Sequence, residues 1–261
     1  MTVLKHELWQ GRTALLIWTG SVAFLLAVSI LLFPEMKGEM GSVGDMFSQM
    51  GSFTAAFGMD KLNFGTMSGY YIVECGNVLG LGGAFFAALC AVQMLSKEER
   101  GRTAEFLLTH PVSRRRVVTE KLAALGLQIT AMNLAILAVA AGCVAAIGEE
   151  IPWKEIGLIH LAYYLLQLEL AGICFGISAF LTRGGVGIGL GVAFGMYFLN
   201  ILSNITESAK SLKYITPYAY CDGAYITAEG SLEGGKLLIG LAYCLMGVAA
   251  AYWQYQRKDI S

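Results

Sequence analysis

The sequence predicts an all-α, polytopic membrane protein. It has six transmembrane helices, an amphipathic cytoplasmic helix and both termini in the cytoplasm. Three observations carry this reading. Charged residues make up only 14% of the 261, where soluble domains carry about 25%. The apolar class reaches 56% and the mean hydropathy is +0.60. The few charges are clustered, with long charge-free runs between them. The net charge of −1 offers neither a basic excess for nucleic acid nor an acidic tail.

Thr13–Phe33, Leu122–Gly148, Gly184–Asn204 and Leu237–Gln256 contain no charge, while Tyr70–Leu95 holds only Glu74 and Ile156–Leu181 only Glu169. A helix of about 20 apolar residues crosses the hydrocarbon core. Lipid offers no partner to a free backbone N–H or C=O, so each run should be helical. The expected spans are 13–33, 70–95, 120–148, 156–181, 184–204 and 237–256, within one domain covering 1–261, with outer loops at 34–69 and 205–236. The alternating pattern of barrel strands is absent. Phe33-Pro34-Glu35 follows the first run in place of a small-residue cleavage site, which argues against a signal peptide.

An even number of spans puts both termini on one side, and the positive-inside rule chooses the side. The segments sharing a side with the termini carry 12 Lys and Arg against 6 on the other, and seven of the 12 fall between Lys97 and Lys121. That side is expected to be cytoplasmic. The N-terminal Leu4, Leu8 and Trp9, with Lys5 and Arg12, suit an interfacial helix leading into the first span.

The sequence offers little enzymatic chemistry. Cys75, Cys90, Cys143, Cys174 and Cys244 fall inside spans, where cysteine acts as a small hydrophobe, and Cys221 has no outer partner. No pair has CxxC spacing, so no metal site is expected. Gly230 to Lys236 matches GxxxxGK, but Leu237 replaces the hydroxyl that would ligate magnesium and no strand precedes it. No cofactor is expected in this chain. Asn204-Ile205-Thr206 fits the glycosylation pattern but abuts a span.

The one cytoplasmic segment of consequence is 96–121. Ser96 and Glu99 have capping-box spacing, predicting a helix over about 97–110. Pro111 limits its far end. Ala104, Leu107 and Leu108 form an apolar stripe beside Phe106, leaving Lys97, Glu98 and Arg102 on the remaining surface. Ser113 is placed to cap the next helix, and Arg114, Arg115 and Arg116 to sit at the lipid headgroups. A basic interfacial loop that only sets topology would share these features; a docking helix for a soluble partner uses them all.

Here the chain resembles the type-2 permeases, the membrane subunits of ATP-binding-cassette exporters. The resemblance rests on Glu98-Glu99-Arg100-Gly101, on Thr103-Ala104-Glu105-Phe106-Leu107-Leu108-Thr109 and on Pro111-Val112-Ser113-Arg114. Arg102 stands between Gly101 and Thr103, where the family usually has Gly directly before Thr. Leu62-Asn63-Phe64-Gly65-Thr66 with Gly69-Tyr70-Tyr71, Tyr214-Ile215-Thr216-Pro217-Tyr218 and the ending Arg257-Lys258-Asp259-Ile260 agree with it. The resemblance implies that this helix couples to a cytoplasmic ATPase through Glu98, Glu99, Arg102, Thr103, Glu105, Phe106, Pro111 and Arg114. It also implies that ATP and Mg bind on that partner, that a second permease subunit completes the assembly, and that the chain sits in a cell membrane, the cytoplasmic membrane of a bacterium.

Two other readings stand beside this one. A membrane anchor or sensor could use the same docking helix without moving a substrate. An intramembrane protease is suggested by Glu98-Glu99 and Phe106-xxx-His110, but these share one short segment, whereas metal-assisted hydrolysis needs ligands converging in a cavity.

Glu169 lies mid-span, where a carboxylate costs at least about 2.5 kcal/mol on insertion scales. It should therefore face protein or water, with Gln167, Asn133 and Gln128 nearby in sequence or in the third span. It is either a polar or protonatable group in a substrate path or a helix-joining contact. Glu74, about one turn below the outer surface, either reaches water or takes one of the same two roles. Gly187, Gly191 and Gly195 recur every fourth residue of the fifth span, a face that admits another helix closely, and Gly172 and Gly176 do so in the fourth. In the resembled family the fifth span contributes to the dimer interface; packing within one subunit would use the same face. Family members also place short re-entrant helices in the 205–236 loop, whose tyrosines would equally suit an aromatic belt.

Overall fold

The computed structural model describes residues 2–38, 51, 54, 62–101, 103, 112–182 and 185–258. Its helices are α1 (Thr2–Gly38), α2 (Met67–Gln93), α3 (Lys97–Arg100), α4 (Arg114–Ala146), α5 (Trp153–Ser178), α6 (Val186–Ile205), α7 (Gly223–Glu229) and α8 (Gly234–Arg257). Two 3-10 segments, Glu207–Tyr214 and Pro217–Tyr220, lie between α6 and α7, and no strand occurs among the described residues. The helices α1, α2, α4, α5, α6 and α8 are each long and apolar enough to cross a membrane. The chain is thus an all-helical, multi-pass membrane protein, as the charge-free runs predict.

The helix boundaries follow from local chemistry. Ser113 has an extended backbone and its Oγ accepts from Arg116 N at 3.3 Å, so α4 starts at Arg114, ahead of its apolar run. Gly148, just beyond the end of α4, has φ +74°, a conformation that costs a side-chain-bearing residue free energy. Thr66 caps α2, its Oγ1 accepting from Gly69 N. Gly69 has no room for a side chain, since an added Cβ would lie 2.2 Å from the Asn63 carbonyl oxygen. That contact gives a structural reason for the pairing of Asn63, Thr66 and Gly69 in the sequence. α1 differs from expectation: the interfacial stretch and the first span form one uninterrupted helix of 37 residues, with Pro34 near its end.

α5 is the centre of the bundle, packing against α2, α8 and α4, with α1 against α4 and α2, and α6 against α2. Burial follows this order. Most of α2 and α5 is covered by protein, whereas α6 buries only Gly189, Ala193 and Ser203, and α8 only Gly240, Ala251 and Tyr255. The exposed Leu16, Phe24, Leu134, Phe194 and Leu245 are compatible with a lipid environment. At one end of the bundle, called here the basic end, the start of α1, residues 94–101, the start of α4 and Lys258 meet. At the opposite end Lys37 pairs with Glu149 at 2.6 Å.

Candidate coupling site and buried polar groups

At the basic end one lysine organises the contacts. Lys121 is fully buried, and its Nζ donates to Glu7 Oε1 at 2.7 Å and to the Met94 carbonyl at 2.8 Å, and pairs with Glu98. Glu7, itself buried, also pairs with Lys97, which donates to Gln10 Oε1 at 2.6 Å. A buried ammonium is tolerable when acids and a carbonyl surround it; removing one partner of such a set typically costs about 3–5 kcal/mol. Four positions far apart in sequence, on α1, after α2, on α3 and on α4, are thereby held at one point.

A second contact lies beside it. Lys258 Nζ donates to the Leu181 carbonyl at 2.7 Å and lies 2.8 Å from Glu99 Oε1, an ion contact whose angles fall outside hydrogen-bond geometry. Arg114 Nη1 donates to the carbonyl of Lys258 at 2.6 Å and lies within 3.4 Å of those of Tyr255 and Gln256, so it closes the C-terminal turn of α8. The ending Arg257-Lys258 is thus fastened to the α3 region and to the start of α4.

Two sequence expectations change here. The capping box is not formed: Ser96 has helical φ and ψ, its side chain makes no capping bond, and Glu99 turns toward Lys258. Lys97 and Glu98 do not present a free charged face either, because Glu7 and Lys121 draw them inward. Among the described residues of this segment, helix covers Lys97–Arg100. Thr103 is exposed, its N–H donating to the Glu98 carbonyl at 2.9 Å. Arg102, Glu105, Phe106 and Pro111, with the Ala104, Leu107 and Leu108 stripe, lie outside the described residues.

The interior polar groups separate into distinct sites. Asn133 Nδ2 donates to Gln167 Oε1 at 2.7 Å and to the Ile129 carbonyl, joining α4 to α5. Gln167 fits against Gly83 of α2, where an added Cβ would lie 2.2 Å from its Nε2. Gln128 belongs elsewhere: its Nε2 reaches the Glu7 carbonyl at 3.3 Å, beside Gly11. Glu74 is partly buried and accepts from Ser29 Oγ at 3.1 Å. Glu169 is fully buried and faces α8, with Tyr220 OH donating to its Oε2 at 2.9 Å.

Tyr220 shows that the segment after α6 re-enters the bundle. Pro217 to Cys221 are all buried. Thr216 Oγ1 donates to the Met196 carbonyl of α6 at 2.8 Å, Tyr218 OH to the Gly80 carbonyl of α2 at 2.9 Å, and Tyr220 OH to Glu169 of α5. Three hydroxyls thus sew one short segment to three spans. The tyrosines at 218 and 220 are internal ties; Tyr214 is exposed and suits an interface position.

The glycines also divide. Gly172 and Gly176 lie directly on α8: an added Cβ would meet Cys244 Sγ at 2.4 Å and the Gly247 carbonyl oxygen at 2.6 Å respectively. Among the described residues, nothing lies within 4 Å of a Cβ added at Gly187, Gly191 or Gly195, so none of the described helices packs on that stripe.

Sequence reasoning counts Lys121 among the basic residues and Tyr220 among the loop tyrosines, but gives neither an interior partner and assigns no site role to Glu7 or Gly240. A lysine opening a charge-free run, a lone acid ahead of the first span and a glycine within the last are weak marks taken singly; they acquire meaning only as partners.

No curated protein matches this chain. The family model for the ABC-2 family transporter protein matches residues 1–260. With six apolar helices, a re-entrant segment and a charge-bound α3 region beside both chain ends, the chain belongs to the ABC-2 transporter family.

Proposed function

We propose that this chain is the permease subunit of an ATP-driven exporter, one transmembrane domain that forms the substrate pathway with a second permease subunit. The basic end faces the cytoplasm, where an ATPase subunit binding ATP and Mg docks on the segment 97–110. The observation that carries this reading is the fastening of the α3 region: Glu98 engages Lys121 of α4, and Glu99 lies against Lys258 after α8. Force applied to the docked segment by closing ATPases therefore passes directly to α1, α4 and α8. Of these, α4 and α8 pack against α5, and α1 against α4, so the motion reaches α5 and, through it, the re-entrant segment, and the pathway opens alternately to each side. Thr103, Arg102, Glu105 and Phe106 make the outward contacts with the ATPase. Glu98, Glu99 and Arg114 transmit. The α6 stripe of Gly187, Gly191 and Gly195 receives the second permease subunit. No residue of this chain is catalytic.

The test is to co-express the permease with its ATPase, replace Glu99 and Glu105 separately by alanine, and measure co-purification and ATP turnover. Glu105→Ala should weaken co-purification. Glu99→Ala should leave docking intact and lower turnover several-fold. Unchanged docking and turnover in both variants would sink the coupling role. Turnover that never responds to cargo in vesicles would favour an anchor over a transporter.

A further inference from the structure

The environment of Glu169 is unusual in what surrounds it and in what it lacks. The carboxyl is fully buried at mid-span. Its Oε2 receives one hydrogen bond, from Tyr220, while Oε1 has no hydrogen-bond partner among the described residues. No cation pairs with it among the described residues. From the re-entrant segment it is faced by Tyr220 and Cys221, and from α8 by Cys244. No described residue of α2, α4, α6 or α7 forms a hydrogen bond or ion pair with it.

The site is also closed sterically. Gly240 of α8 presses against the carboxyl so tightly that an added Cβ would lie 2.1 Å from Oε2 and 2.7 Å from Oε1. A full negative charge held there would be shut off from bulk solvent, with one neutral donor. A carboxylic acid carrying its proton keeps the Tyr220 hydrogen bond through its carbonyl oxygen and removes the charge. Ionisation requires water or a cation to reach the group, and Tyr220, with the segment that carries it, closes one side.

We propose that Glu169 is a proton-binding site, occupied while the re-entrant segment 214–222 is seated and emptied when that segment lifts. Proton release and opening of the segment are then one linked equilibrium. The carboxyl loses its proton to entering water, Tyr220 loses its acceptor, and the ties from Thr216 to α6 and from Tyr218 to α2 are left to hold the segment. Rising pH favours the lifted state and falling pH the seated one.

The experiment uses the full chain in lipid nanodiscs with two readouts across mildly acidic to mildly alkaline pH. Infrared difference spectroscopy reads the carbonyl stretch of a protonated carboxylic acid. Hydrogen–deuterium exchange, corrected for intrinsic rates, reads the amides of 214–222. The wild type should show a carboxylic band that fades as pH rises, with exchange in the segment quickening several-fold in step. Glu169→Gln, neutral and still an acceptor for Tyr220, should lack that band and keep slow exchange at every pH. Tyr220→Phe should quicken exchange while retaining a titrating band, and it serves as the second variant if Glu169→Gln does not fold. A wild-type band absent throughout, or one that persists in Glu169→Gln, overturns the proton site. A band that titrates while exchange in 214–222 stays constant overturns the linkage.

Discussion

α5 and α6 both carry glycines four residues apart, and they use them in opposite ways. On α5, Gly172 and Gly176 bring the backbone of α8 into direct contact, and Gly247 of α8 reciprocates, since its own added Cβ would lie 2.4 Å from the Gly172 carbonyl oxygen. On α6, Gly187, Gly191 and Gly195 open away from the other described residues. Spacing alone therefore marks a helix that can be approached closely, and the packing of the remaining helices decides whether an element of the same chain makes that approach.

Substitutions at these positions sharpen the contrast. The largest effect is expected for Gly176→Leu, because the atoms in its way are backbone atoms of Gly247 and α8 must move as a whole. Little monodisperse protein should be recovered by size-exclusion chromatography in detergent. Gly172→Ala should fold with a thermal midpoint lowered by an overpacking penalty of about 1–3 kcal/mol. The nearest obstacle to that methyl group is Cys244 Sγ at 2.4 Å, with backbone atoms at 3.1 Å. The double variant Gly172→Ala with Cys244→Ala should recover part of the loss in the same melt, a coupling expected of residues in contact. Gly191→Leu should change the stability of the isolated subunit least, within about 0.5 kcal/mol as at other uncrowded positions. A Gly191→Leu melt as damaged as that of Gly176→Leu would break the contrast between the two helices. Subunit pairing measured by cross-linking should nonetheless fall in Gly191→Leu.

The extent to which the sequence anticipates the structure varies with the range of the interaction. The six spans are legible because the exclusion of charge from lipid acts residue by residue, and Ser113 is legible as a cap because its bond reaches only three residues ahead. Ser96 misleads for a reason visible in its backbone: the cap needs an extended residue, and the chain leaving α2 is still helical at Ser96. The partners of Glu98 and Glu99 were not legible. Lys121 lies 23 residues away, and Lys258 is brought back only by α8 completing the bundle. Glu169 announces itself by its cost in lipid, but Tyr220, 51 residues on, is one of several tyrosines in its loop. The glycine stripe of α6 is legible as a packing face; that no described helix covers it is not, since that depends on where the other helices go.

The unbroken length of α1 carries a mechanical consequence. Thirty-seven residues of helix extend about 55 Å, well beyond a hydrocarbon core of about 30 Å. The charge-free part of α1, Thr13–Phe33, matches that core, so the excess length stands clear of the hydrocarbon at the two ends. Glu7 rides on the overhanging end and grips both Lys97 and Lys121. Any movement of the α1 rod is therefore carried through Glu7 to the α3 region.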